Sequence, residues 1–133
     1  YELMHSASVA KVGFVLHPEI EMAGASPDGL VGDLGLIEIK CPTSANHVAT
    51  LLAETVPEKY AKQMQFQMAC TDRQWCDFVS FDPRLPAPMQ LHVHRVPRDA
   101  ELAEEITAAV TQFLTELNRA EADLRARYMK DAA

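Results

Sequence analysis

The sequence predicts an α/β fold of the α+β kind, a mixed sheet with helices packed on it and a long C-terminal helix. Apolar runs with strand-like alternation lie in the middle of the chain, a helical stretch opening on Pro57 separates them, and an apolar stripe at alternating three and four spacing fills the last third.

The elements follow in order. Tyr1-Glu2-Leu3-Met4 reads as the end of a helix already under way, so the chain is expected to be a fragment. Lys11 to Leu16 is a short apolar run closed by His17-Pro18, which suits a strand ending before a proline. A second extended segment is expected at about Met22 to Val31. Gly32-Asp33-Leu34-Gly35 is a turn signal, and Leu36 to Cys41 alternates apolar with polar residues, so the two runs predict a β-hairpin. Pro57 is expected to open a helix running to about Cys70, with Tyr60, Gln63, Met64 and Gln67 on one side. Trp75 to Phe81 and Gln90 to Val96 read as two further strands around a proline-rich loop. Asp99 is a plausible N-cap for the last helix, whose stripe is Ala103, Ile106, Val110, Phe113, Leu117, Ala120 and Leu124. Glu101, Glu104 and Glu105 at its start and Arg125, Arg127 and Lys130 at its end complement the helix dipole. The stripe suits packing on the chain's own sheet or on another subunit.

At 133 residues the chain is expected to be one domain. Its 48% hydrophobic and 23% charged composition is that of a folded globular protein. No apolar run is long enough to span a membrane and none resembles a signal peptide, so the expected location is the cytoplasm and no membrane partner is expected. Cys41, Cys70 and Cys76 are odd in number and lack a CxxC pair; reduced, mostly buried thiols are expected. The net charge of −7 counts against a global nucleic-acid footprint. Residues 99 to 133, however, hold eight acids against four bases, which is more than half of the excess. Nucleases also need carboxylates to hold cations, so acidity excludes little.

The chemistry is concentrated in the hairpin. With a three-residue loop centred on Asp33, cross-strand partners sum to 66 and Asp28 falls opposite Glu38. Alternation puts Lys40 on the same face, with Ile37 and Ile39 turned to a core on the other. Two close carboxylates repel unless a cation relieves them, so the pair is an oxygen nest for Mg2+, with Mn2+ as a substitute. Lys40 beside them suits activation of a water for attack on phosphorus, and phosphodiester hydrolysis is the reaction this grouping fits. The plainer alternative is a Ser26-Pro27-Asp28-Gly29 turn and a surface Glu38–Lys40 ion pair. Pro-Asp followed ten residues later by Glu-x-Lys on a Leu/Ile strand is more specific than either half, and favours the functional reading.

At these residues the sequence resembles the YqaJ-like viral recombinase (bacteriophage lambda exonuclease) family. Ala25-Ser26-Pro27-Asp28-Gly29-Leu30, Glu38-Ile39-Lys40-Cys41-Pro42, Tyr60-x-x-Gln63-x-Gln65 and Phe81-Asp82-Pro83-Arg84 resemble it in order and spacing, over nearly the whole chain and least in the terminal helix. The resemblance implies a restriction-endonuclease-like PD-(D/E)xK core, with residues 1–133 as a single nuclease domain lacking an N-terminal helical region. It implies a 5′-to-3′ exonuclease that digests one strand at double-stranded DNA ends with magnesium and leaves 3′ single-stranded tails for recombination. A homotrimer ring around DNA and a single-strand annealing protein are the implied partners. Position by position, Asp28 and Glu38 bind metal with the Ile39 backbone carbonyl, Lys40 activates the water, and Gln63 touches that water or the phosphate. The family also carries a glutamate on an upstream helix, about two turns before the aromatic-Glu pair matched by Tyr1-Glu2. That residue is expected before Tyr1, and Glu2 is in the wrong register to replace it.

Lys59, Lys62 and Arg84 join Gln63 as candidate DNA contacts, although exposed bases are usually only solvated. His92 and His94 alternate on one strand face but lack a third metal ligand, so surface or half-buried histidines are expected. Trp75, Phe78 and Phe81 are expected to pack rather than stack on bases. The alternatives to an exonuclease are a restriction-like or repair endonuclease on the same fold and a non-catalytic DNA-end binding module.

Overall fold

The computed structural model describes residues 1–129. In chain order it contains α1 (Glu2–His5), β1 (Val9–Ala10), β2 (Val15–Leu16), β3 (Gly24–Ala25), β4 (Gly29–Val31), β5 (Gly35–Lys40), α2 (Ser44–Ala53), α3 (Glu58–Thr71), β6 (Trp75–Phe81), a 3-10 turn (Ala87–Met89), β7 (Leu91–Pro97) and α4 (Ala100–Tyr128). A five-stranded sheet has the order β1-β4-β5-β6-β7, and β2 and β3 form a separate two-stranded ribbon. β5 and β6 run parallel while the other neighbours are antiparallel, so the sheet is mixed. The crossover that a parallel pair requires is supplied by α2 and α3.

The hairpin forms in the predicted register, with Gly29 opposite Ile37, Leu30 opposite Leu36 and Val31 opposite Gly35. Gly32 takes φ +54, the left-handed conformation that costs glycine nothing, and so closes the turn. Strand alternation then divides the core. On one face Leu36, Cys76 and Phe78 pack beneath Met64 and Met68 of α3. On the other, Val31, Ile37 and Val79 pack with Tyr1, Val9, Trp75, Leu91 and Val93.

β6 occupies Trp75–Phe81 as predicted, and α4 begins after Asp99, whose side chain accepts from Leu102 N. Pro57 is the N-cap of α3 rather than its first residue. The expected Lys11–Leu16 strand shrinks to β2, while the edge strand β1 lies upstream of it. The Met22–Val31 segment is split into β3 and β4 by Ser26-Pro27-Asp28, because proline offers no amide to the ladder. Helix α2 is not among the expected elements: its apolar Val48 and Leu51 are only half-buried, and the residues it buries fully are the polar His47 and Thr50. Ile37 is buried as expected but Ile39 is 42% exposed. β4 starts opposite Ile37, so no strand flanks β5 on that side at Ile39.

Of the aromatic residues, Phe78 is fully buried whereas Trp75 and Phe81 are half-buried, and Trp75 is covered by the Arg95 guanidinium 3.5 Å from its ring. Cys70 and Cys76 are buried free thiols and Cys41 is exposed. The first turns of α4 dock on α3, where Ala103 is buried and Gln65 bridges Pro97 O and Asp99 N. Farther along, Phe113, Leu117 and Leu124 of the apolar stripe are exposed. Lys130, expected at the end of the helix, lies outside the described residues. Among the described residues no helix is long and apolar enough to cross a membrane.

Candidate active site

Asp28 stands at the entrance to β4, between buried Pro27 and buried Gly29. A Cβ on Gly29 would collide with the Val9 side chain, so β1 presses on the strand at this point and fixes where Asp28 leaves it. The Asp28 carboxylate accepts a hydrogen bond from the backbone N–H of Ile39 at 2.6 Å. It is thereby tied to the C-terminal end of β5, one step past the last Gly29–Ile37 pairing and at the level of Glu38.

Glu38 lies beneath α3 and is only 2% exposed. Its Oε1 accepts from Gln63 Nε2 at 2.8 Å and from Lys40 Nζ, and its Oε2 accepts from Gln67 Nε2 at 2.8 Å. A carboxylate so buried is tolerated because a cation and amide donors replace its water. Burial alone would lower the Lys40 pKa, but the hydrogen bond to Glu38 and the charges of Glu38 and Asp28 outweigh it and leave the ammonium raised. Lys40 Nζ also sits 4.9 Å from the centre of the Tyr60 ring, which stacks on Phe78.

Lys40 and Tyr60 line one wall of a cleft of about 300 Å³ between α2 and α3, closed by Pro42, Asn46, Thr50 and Ser80 among others. Lys59 lies at its rim, 4.8 Å from the Tyr60 ring. Lys62 does not join this group and lines a groove between α3 and α4 instead. Arg84 is tied to buried Asp82 by Nε at 2.7 Å and Nη2 at 3.1 Å, and to Pro42 O at 3.1 Å. It fastens the loop after β6 to the end of β5, with 61% of its side chain still exposed. The Arg84 hydrogen bonds, then one from Ser44, hold Asp82 well below the usual carboxylate range. Glu2 is engaged elsewhere, accepting from Val9 N at 2.7 Å.

Glu38, Lys40 and Gln63 therefore meet directly, and Asp28 joins the same end of β5 through the Ile39 N–H, with its charge felt at Lys40. Two supports were less visible. Gln67 is a full partner of Glu38, and its signal was its place one turn beyond Gln63. His47 is wholly buried, with Nδ1 2.6 Å from Ser80 Oγ and Nε2 2.8 Å from Met89 O, and so pins α2 over the sheet; a histidine in an unassigned segment gave no cue. His92 and His94 stack at 6.4 Å on β7, and burial first, then the charges of His94 and His47, lower the His92 pKa. Burial, with the charges of Glu38 and Asp77 nearby, pushes the Cys76 thiol up to about 12 and keeps it protonated.

The donor set fits a hard divalent cation: two carboxylates on one strand end, with the adjoining Ile39 carbonyl as a third oxygen. Among the described residues no group of three or more His, Cys, Asp or Glu forms a soft or all-side-chain site. Such a sparse oxygen site suits a hard divalent ion that keeps much of its water.

Residues 1–74 match the model of the YqaJ-like viral recombinase domain. The chain belongs to that family. The YqaJ-like domain is also similar to an alkaline exonuclease, LHK-Exo, from Laribacter hongkongensis, with 50% identity and a TM-score of 0.94. That match covers 96% of this chain and 66% of the other. LHK-Exo solved in complex with dAMP gives the same identity and TM-score, and there this chain spans 65% of its length. A phage-related exonuclease from Haemophilus somnus 129PT, 19% identical with a TM-score of 0.59, covers 87% of this chain and 66% of its own and shares the fold. No curated protein matches.

Proposed function

We propose that this YqaJ-like domain is a Mg2+-dependent exonuclease that degrades one strand of duplex DNA from its 5′ end and leaves 3′ single-stranded tails for recombination. One observation carries the reading: Glu38 at the end of β5 holds Lys40 beside an open cleft, and Asp28 is tied to the same strand end at the Ile39 N–H. Similarity to an alkaline exonuclease at 50% identity supports the reaction class. The reading includes a single PD-(D/E)xK nuclease domain, cytoplasmic action at double-stranded DNA ends, a homotrimeric ring and a single-strand annealing partner.

Asp28, Glu38 and the Ile39 carbonyl would hold the metal, which when bound neutralises phosphate charge and acidifies water. Lys40, kept protonated by its two acidic neighbours, places a positive charge and hydrogen-bond donors at the mouth of the cleft. There it orients the attacking water and offsets charge that grows on the phosphate oxygens. Gln63, exposed yet bonded to Glu38, presents its remaining amide groups to the same water or phosphate. Water oxygen bonds to phosphorus, the P–O3′ bond breaks, and the departing 3′ oxygen leaves as a hydroxyl on a released 5′-mononucleotide. Lys59 at the rim, Arg84 on the loop bonded to Pro42, and Lys62 farther along α3 serve as contacts to the DNA backbone.

The test is time-resolved digestion of linear duplexes bearing a 5′-phosphate or a 5′-hydroxyl, beside covalently closed circles, with and without Mg2+. Release of mononucleotides from linear duplex, absent with closed circles and with Lys40→Ala, is expected. Nicking of the circles would make the domain an endonuclease, and end binding with no release in Mg2+ would make it a non-catalytic module.

A further inference from the structure

Glu38 is gripped from α3 by two amides with different surroundings. Gln63 is exposed and shares Oε1 with the Lys40 ammonium. Gln67 is 2% exposed and alone holds Oε2, at 2.8 Å. The amide oxygen of Gln67 is itself buried and has no hydrogen-bond partner. Met64 and Met68, its neighbours on the helix, are fully buried and apolar. Packing alone therefore favours a methionine at position 67, because a buried amide with an unmade hydrogen bond is disfavoured against an apolar residue of the same shape. What the glutamine adds is the N–H donated to Glu38.

We propose that Gln67 is a positioning residue for cation capture, an inference that rests on the nuclease reading above. By anchoring Oε2 from inside the protein, it stops the carboxylate turning about its terminal bond. Oε1 then keeps its direction whether or not Lys40 and Gln63 are on it. Glu38 is thus held fixed on the strand end to which Asp28 is tied through the Ile39 N–H, so a divalent ion would meet a carboxylate already arranged.

The experiment titrates Mn2+ into the full chain, following the free-ion signal by electron paramagnetic resonance, and measures urea unfolding alongside. For Gln67→Met the Mn2+ dissociation constant should rise about 10- to 100-fold, while the chain still unfolds cooperatively at a somewhat lower urea midpoint, because Glu38 Oε2 loses its donor. In a Glu38→Gln background the same substitution should leave Mn2+ affinity where it was. Should Gln67→Met fail to fold, Gln67→Asn, which retains a donor but withdraws it by one methylene, is read in the same way. A Gln67→Met chain that binds Mn2+ within about threefold of the parent, well short of the usual loss for such a partner, overturns the proposal. So does an equal loss in the Glu38→Gln background, which would mark a purely structural role. A parent chain that takes up no Mn2+ and releases no nucleotide overturns the nuclease reading as well, whereas a parent that does both beside an unaffected variant overturns this inference alone.

Discussion

Replacing Lys40 by alanine separates the catalytic reading from a structural one, because the structure bounds both effects. The side chain is 26% exposed and its partner Glu38 2% exposed, so the pair is neither fully buried nor a surface ion pair. Stripping one partner from a fully buried pair costs about 3–5 kcal/mol. Here Gln63 and Gln67 continue to donate to Glu38, so a loss of about 1–3 kcal/mol is expected, the range for a buried acceptor left short of a donor. The catalytic loss is larger. A unit charge about 4 Å from a phosphate oxygen contributes about 4 kcal/mol at an effective dielectric constant near 20, which is about a thousandfold in rate. Lys40→Ala should therefore fold cooperatively, unfold in slightly less urea, and release nucleotides from linear duplex about a thousandfold more slowly at saturating Mg2+. Lys40→Arg should not restore the rate fully, because a guanidinium fork neither fits the ammonium's place nor titrates as it does. A folded Lys40→Ala chain that keeps more than about a tenth of the parent rate, a deficit of only about 1.4 kcal/mol, would refute the reasoning.

Chelation should abolish nucleotide release, and Mg2+ should raise the thermal midpoint of the parent but not of Asp28→Asn, as calorimetry would record; a shift that survives in Asp28→Asn places the ion elsewhere. Burial raises the Asp77 pKa, but the hydrogen bonds from Arg95 at 2.7 and 2.9 Å and from Tyr1 at 2.6 Å outweigh it and leave the group lowered. Its stabilising contribution is therefore complete above the unfolded carboxylate value of about 3.9 and fades as pH falls through the lower folded value. Asp77→Asn should cost about 2 kcal/mol at neutral pH, less than a fully buried pair because Arg95 is 55% exposed, and should flatten the acid limb of a urea stability profile. Gly29→Ala should destabilise by about 1–3 kcal/mol through collision with Val9, and hydrogen exchange should show the β1 amides losing protection first.

Legibility in the sequence tracked how far burial coincides with apolarity. β6 was readable end to end because a β-rich run marks its buried face, and α4 was readable from its Asp99 cap and its three-and-four stripe, although only the first turns of that stripe are covered. The hairpin register was readable because Gly32 restricts the turn, and the register in turn put Asp28 at the level of Glu38. α2 was not, because it seats His47 and Thr50 in the interior, and a polar buried face is silent to periodicity. The same cause hid Gln67, a buried glutamine that looks from sequence like a solvated helix flank. Ile39 misled in the opposite direction: alternation assigns its face correctly, yet no pattern along one strand reveals that the neighbouring strand has already ended.

The arrangement around Glu38 also explains how such a site stands folded before any substrate arrives. A carboxylate placed under a helix is expensive to desolvate, and Asp28 brings a second negative charge to the same strand end. In this chain the counter-charge is Lys40, attached to the same strand on the same face, while Gln63 and Gln67 make up the rest of the lost hydration. Asp28 and Glu38 are the carboxylates that would hold a divalent ion, and its charge would offset the negative charge that Lys40 now balances. Until then the hydrogen bond to Glu38 and the charges of Glu38 and Asp28 outweigh burial and keep Lys40 a cation at the mouth of the cleft.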